Sequence, residues 1–242
     1  SLGTYHVANL MCQALELQGE DRDLALSAAL LHDLGHAPFS HTLEEVLQNR
    51  FSLDHMELGI SIIKGERSVR SEAEDKHLGD LAPINEVLQN AGISPEAVTD
   101  VIVSPGHLGR RGQSLLTEDN GQSHFNTREF LHQMIHGPVD ADQMDYLLRD
   151  AHYTGVAHGT IDIERIMQTI QLHHGDIVVR KGGMVAAEGL MVARALMYTS
   201  VYYHKTVRIA EMMLCKAVEM ADDRIADQLQ RENDASLTER LM

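Results

Sequence analysis

Apolar residues recur at helical spacing along most of the chain, and the polar positions between them mark where each helix starts and stops. Residues 4–18 form one such stretch. A second begins at Asp21 and Asp23, runs through the apolar residues 24–31 and ends in a histidine-rich segment, where Gly35 and Pro38 break the pattern. Helical spacing resumes over 42–51 and roughly 54–63. Residues 64–80 are charged and contain glycine, which reads as an exposed loop or a mobile helix. Ser94-Pro95-Glu96-Ala97 is a helix start, with Ser as N-cap, Pro in the first position and an acid in the first turn.

Residues 104–124, glycine-containing and polar, read as a long loop able to cover a site. Helices are expected over 126–135, over 141–151 after Gly137-Pro138, and over 163–172. Residues 177–180 and 184–186, joined by Lys181-Gly182-Gly183, are expected to pair as a β-hairpin. A long helix or a bent pair follows over 190–221, and the tail from Asp222 is charged and amphipathic. The expectation is an α-rich fold with one small hairpin.

Composition narrows the class. The chain has 242 residues, 43% of them apolar, enough for one large core or a core with an appendage. No apolar run approaching the ~18 residues of a membrane span is evident, and the first residues lack the basic region of a secretory signal. Cys12 and Cys215 sit alone in apolar helical patterns, without the spacing of a zinc cluster, and read as buried small hydrophobes in a reducing cytoplasm. The net charge of −16 opposes binding to nucleic acid or an anionic membrane, but not a small phosphate held in one locally positive pocket.

Four segments carry chemistry. The first is His32-Asp33-Leu34-Gly35-His36-Ala37-Pro38-Phe39-Ser40-His41. Imidazole nitrogen and carboxylate oxygen together suit a hard or borderline divalent ion. Adjacent helical residues point about 100° apart, so His32 and Asp33 can share an ion only where the helix ends. A polar helix end carrying capping groups is the plainer alternative. In the second segment Asp142, Tyr146 and Asp150 share a helix face, Asp145 and Arg149 pair beside it, and Met144, Leu147 and Leu148 cover the remaining arc. That face lines a cleft or is simply solvated. The third places Arg194, Tyr198 and Tyr202 at successive turns, with His204 and Lys205 following. The fourth is Asp54-His55-Met56-Glu57, with Glu44 eleven residues before His55.

Taken together, HDLGHAPFSH, the DADQMDYLLRD block and the Arg194…Tyr202-Tyr203-His204-Lys205 block resemble the HD superfamily of phosphohydrolases, in particular the branch of deoxynucleoside triphosphate triphosphohydrolases. The resemblance runs from Ser1 to about Asp223. It implies an all-α HD-domain helical bundle with one small β-hairpin, divided as a metal-binding core over 1–160 and a hairpin with long C-terminal helices over 161–242 that complete the nucleotide pocket, the two forming one continuous domain. It implies that His32, Asp33 and Asp142 are metal ligands, with a further histidine expected immediately before Ser1; without the resemblance His6 would be the candidate. His36, Glu44 and His55 are implied as catalytic, His55 as an acid oriented by Glu44. His41, Tyr146, Asp150, Arg194, Tyr202 and Lys205 are implied to bind substrate, Arg through the planar fork that suits phosphate oxygens.

The cofactor implied is a divalent ion (Mn, Fe, Mg, Ni or Zn), the partner a nucleotide, and the assembly a homo-oligomer, with no membrane and with nucleic acid disfavoured. Gln143 stands where some relatives have a phosphate-binding lysine, one positive charge fewer for a triphosphate. Three readings follow from different premises: a dNTP triphosphohydrolase, a hydrolase of monophosphates or other phosphate esters on the same frame, and a nucleotide-sensing module without turnover.

Overall fold

The computed structural model describes residues 1–51, 54–68, 81–103 and 128–231. The loop expected over 104–124, most of the 64–80 segment and the end of the tail lie outside the described residues. In chain order the elements are α1 (Leu2–Ala14), α2 (Gly19–Leu31), α3 (Ser40–Phe51), α4 (His55–Ile63), α5 (Ile84–Asn90), α6 (Pro95–Ile102), α7 (Glu129–His136), α8 (Ala141–Thr154), α9 (Ile163–Met167), β1 (Ile170–His173), β2 (Asp176–Val179), α10 (Met184–Met197) and α11 (Lys205–Arg231). Among the described residues the fold is helical with one small antiparallel sheet, as expected. The chain falls into two compact units, Ser1–His32 with Ile93–Met197 and Asp33–Gly92 with Tyr198–Met242.

In the first unit α1 buries Thr4, Val7, Ala8 and Met11, one helical stripe, and packs on α2 and α8. The small residues Ala25, Ala28 and Ala29 of α2 are fully buried and let a neighbouring backbone come close. Gly3 serves the same purpose, since a side chain there would run into the Asp145 carboxylate. Ser94 caps α6 by accepting from the Ala97 amide at 3.2 Å. Asp140 caps α8, accepting from the Gln143 amide at 2.6 Å, and Gly155 ends it in the left-handed conformation. Met144 and Leu147 of α8 and Leu190 and Met197 of α10 complete the core.

The hairpin differs from the one expected. Helix α9 stops at Met167 instead of continuing through 172, and Ile170–His173 becomes a strand paired with Asp176–Val179 in the register Ile170 to Val179. The turn is His174-Gly175, with φ 53° and 89°. Two successive positive φ angles are what a tight two-residue hairpin needs. Lys181-Gly182-Gly183 is instead a short 3-10 turn, and Met184 opens a helix, not a strand. Gly183 is wedged against the Thr169 side chain, so its lack of a Cβ serves packing.

In the second unit α11 packs on α3, with the Cys215 thiol donating to the Thr42 carbonyl at 3.0 Å and the Thr42 hydroxyl to Glu211 at 3.4 Å. Leu43, Leu58, Ile62, Ile63 and Leu88 are buried. Gly35 lies against the start of α4, where a side chain would meet the His55 carbonyl and the Gly59 amide. The expected run over 190–221 is divided into two helices, α10 and α11. A π-helical turn over Tyr198–Tyr202, closed by the Tyr203 amide on the Tyr198 carbonyl at 2.7 Å, separates α10 from α11.

Two sequence expectations need correction. Cys12 is fully buried, but Cys215 is only half-buried and is held by its hydrogen bond. The segment Lys181–Tyr202 is long and apolar enough, by length and composition alone, to cross a membrane. Periodicity had split this segment between a strand and a helix, which hid its length.

Candidate metal centre and histidine cluster

His32 is the C-cap of α2, so it lies where the helical hydrogen-bond ladder gives out. Its ring is buried, and Nδ1 lies 3.0 Å from the Ala29 carbonyl oxygen. A carbonyl only accepts, so Nδ1 carries the proton and Nε2 is the ligand-type nitrogen, the posture usual for a metal-binding histidine. Nε2 lies 3.4 Å from Asp142 Oδ1 on α8. That oxygen also accepts a hydrogen bond from the buried Thr4 hydroxyl at 3.1 Å.

Asp33 follows His32 directly, and the chain turns out of the helix at this point. One ligand atom from each of His32, Asp33 and Asp142 lies within 4.8 Å of the other two. Ligand atoms about 2.1 Å from one ion are about 3–4 Å apart, and His32 Nε2 and Asp142 Oδ1, at 3.4 Å, have the separation of two ligands on one ion. The donor set, one imidazole and two carboxylates, suits the hard and borderline divalent metals.

Within the second unit the histidines form their own cluster. His36 Nε2 lies 3.6 Å from Asp33 Oδ1. The His36 ring stacks on His55, with centroids 4.2 Å apart and planes 13° apart, and His41 meets His36 edge-on at 5.0 Å. Glu44 Oε1 lies 2.5 Å from His55 Nδ1, and its Oε2 lies 3.9 Å from His41 Nδ1. Burial, with the neighbouring His55 adding to it, holds His36 below the usual imidazole value, which favours the neutral ring. Asp54 caps α4 by accepting from the Met56 amide at 2.8 Å, which fixes the backbone that carries His55.

Of the other sequence-selected residues, Tyr146 and Asp150 are half-buried on α8, and Arg194 is half-buried on α10. Asp145 and Arg149 pair at 3.0 Å, as their spacing predicts. Tyr202 lies in the π-turn and Lys205 is exposed at the start of α11. The π-turn interrupts the regular spacing expected of 194, 198 and 202. His6 is exposed on α1 and is not among the converging ligands of the described residues. Gln143 is buried, and its amide donates to Asp140 Oδ2 at 2.7 Å and to the Gly137 carbonyl at 3.1 Å. It is thereby occupied in fixing the start of α8. Burial raises Asp140 from 3.8 to about 7, against the Gln143 hydrogen bonds that favour its charge.

Sequence reasoning missed Thr4, whose signal was a hydroxyl on an otherwise apolar stripe, and the pair His132 and His136, whose signal was their spacing of four on α7.

The HD domain family model matches residues 1–99, and the HD associated region matches residues 161–242. The chain carries an HD domain. It resembles the HD-domain phosphohydrolases, including those that act on deoxynucleoside triphosphates. It is 35% identical over 91% of its length to the uncharacterized protein YwfO of Bacillus subtilis, covering 43% of that protein. It is 27% identical over 93% of its length to the human deoxynucleoside triphosphate triphosphohydrolase SAMHD1, covering 37% of it. A phosphohydrolase from Bacteroides thetaiotaomicron superposes with a TM-score of 0.66 at 25% identity, over 92% of this chain and 47% of that one. The HD chain thus spans about two fifths of the length of the curated relatives it matches.

Proposed function

We propose that the chain is the catalytic part of a metal-dependent hydrolase that cleaves deoxynucleoside triphosphates to deoxynucleoside and inorganic triphosphate. The observation that carries this reading is the convergence of His32, Asp33 and Asp142, in a chain whose relatives include a deoxynucleoside triphosphate triphosphohydrolase. These three side chains would hold a divalent ion, which when bound supplies Lewis-acid charge to the phosphate oxygens.

The chain's own groups carry the protons. Neutral His36 accepts a proton from the attacking water. His55, with Nδ1 held by Glu44, donates from its other ring nitrogen to the departing 5′ oxygen. The P–O5′ bond breaks as the water oxygen bonds to phosphorus, so one water is consumed and both products leave intact. Arg194 and His41 stabilise the charge on the phosphoryl oxygens, while Tyr146, Asp150, Tyr202 and Lys205 contact sugar and phosphate. Residues 161–242 complete the nucleotide pocket of a core formed by 1–160, in a cytoplasmic homo-oligomer.

A second reading, hydrolysis of a nucleoside monophosphate or another phosphate ester, is favoured by Gln143. Its amide is spent on Asp140 and Gly137, so α8 offers no cation there for a distal phosphate. Incubating the protein with each dNTP and manganese, then separating products by chromatography, tests both. Inorganic triphosphate with free deoxynucleoside, abolished in Asp33→Ala, is expected. Orthophosphate from a monophosphate, with dNTPs untouched, would replace the first reading with the second.

A further inference from the structure

The first unit holds a second group of imidazoles that the proposed reaction does not use. His132 and His136 stand four residues apart on α7, and so on one helix face. Their ring centroids are 5.1 Å apart with planes inclined by 47°. His132 Nδ1 lies 2.9 Å from the Val101 carbonyl oxygen, so it carries the proton and leaves Nε2 as the lone-pair nitrogen. This repeats the posture of His32, whose Nδ1 is held by Ala29. His136 is exposed, so an ion can reach the pair from solvent.

The separation suits chelation. With a metal–nitrogen bond of about 2.0–2.1 Å, an ion lies about 3 Å from each ring centroid, and two rings at a tetrahedral angle are then about 5 Å apart. The stacked pair His36 and His55, at 4.2 Å and 13°, is arranged differently, with near-parallel planes and a separation below that of two rings on one ion. The His32 ring, 6.4 Å from that of His136, lies beyond the chelating separation and stays with Asp142.

We propose that His132 and His136 form a second divalent-metal site, separate from the ligand set His32, Asp33 and Asp142 and adjacent to it through the His136–His32 ring contact. Two imidazoles without a carboxylate select zinc, nickel, cobalt or copper over magnesium. Solvent completes the coordination sphere on the exposed side.

The test is the number of cobalt ions bound by the chelator-stripped full chain, from titration calorimetry and visible absorption. Two ions per chain are expected in the wild type. One is expected in His132→Gln/His136→Gln, and one in Asp33→Asn/Asp142→Asn, each variant keeping its helical circular dichroism. Magnesium should fill one site at most. A single cobalt ion in the wild type overturns the proposal, as do two in the His132→Gln/His136→Gln variant. Because each pair of substitutions removes a different ion, loss of the site on α7 is distinguishable from failure of the proposed catalytic centre. Substituting His173 in the hairpin, as a control for adventitious surface binding, should leave the count at two.

Discussion

Thr4→Val is the sharpest probe of the candidate metal centre, because it removes one hydroxyl and little else. Valine keeps the branched shape in a site where Thr4 is fully buried among Val7, Ala8 and Met11. What goes is the donor to Asp142 Oδ1, the oxygen that also faces His32 Nε2 at 3.4 Å. A hydrogen bond to a charged group contributes about 1.5–3 kcal/mol. Outer partners of metal ligands are typically worth about 10–100-fold in metal affinity. Since tenfold is about 1.4 kcal/mol, the two figures agree. Manganese titration of the chelator-stripped protein, followed by electron paramagnetic resonance, should show affinity weakened by about 10–100-fold. Turnover at saturating metal should change much less, and Thr4→Ser should restore binding. Wild-type affinity in Thr4→Val, in a protein where Asp142→Ala abolishes binding, would refute the positioning role of Thr4. Wild-type affinity in Asp142→Ala would refute the centre itself.

Three further outcomes are expected. His55→Asn removes the proposed proton donor and should lower kcat by about 10²–10⁴-fold while metal affinity holds; an unchanged kcat would take His55 out of the chemistry. Asp140, raised to about 7 in the folded chain against 3.8, binds its proton more tightly folded than unfolded, so its contribution to stability is complete below about pH 4 and is lost as pH rises through about 7. In the metal-free protein Asp140→Asn, which keeps a capping oxygen, should therefore flatten the fall in urea stability over that window, and an identical slope would show that Asp140 does not titrate there. Cys12, fully buried with its thiol raised to about 11 chiefly by burial, should resist alkylation in the native protein, whereas the half-buried Cys215 reacts sooner; equal rates by mass spectrometry would contradict this burial pattern.

The helices were legible because their signals are local. Ser94-Pro95 announces α6 through a capping group that the structure uses as such, whereas the Asp140 cap of α8 emerges only from the structure. The hairpin was misplaced because two glycine-containing turns compete. Lys181-Gly182-Gly183 looked the stronger, yet the ladder is closed by His174-Gly175, which adopts the paired positive φ angles. Ile170–His173 then read as the end of a helix because four residues carry too little periodicity to separate the alternatives. At the site, the residues with charged or imidazole groups were visible as motifs, but Thr4 was not. Its importance comes from a contact with Asp142 across 138 positions of sequence, which no local pattern encodes.

The local sequence around His32 explains why one helix end carries so much of the proposed chemistry. Were α2 to continue through position 35, His32 and Asp33 would diverge around the helix. Ending the helix brings the two neighbours toward one point, and the Ala29 carbonyl, still inside the last turn, fixes the His32 tautomer. Gly35 then lets the following turn lie against the start of α4, where Asp54 holds the backbone that presents His55 to Glu44. The other ligand is set by the opposite kind of helix end. Asp142 sits in the first turn of α8, whose cap Asp140 and buried Gln143 are tied to each other and to Gly137. A helix C-terminus and a helix N-terminus thus each deliver a ligand from a hydrogen-bonded frame. The demand on Gln143 is structural, so on the proposed reading the neutralising charge for a triphosphate comes from Arg194, Lys205 and the divalent ion, and not from position 143.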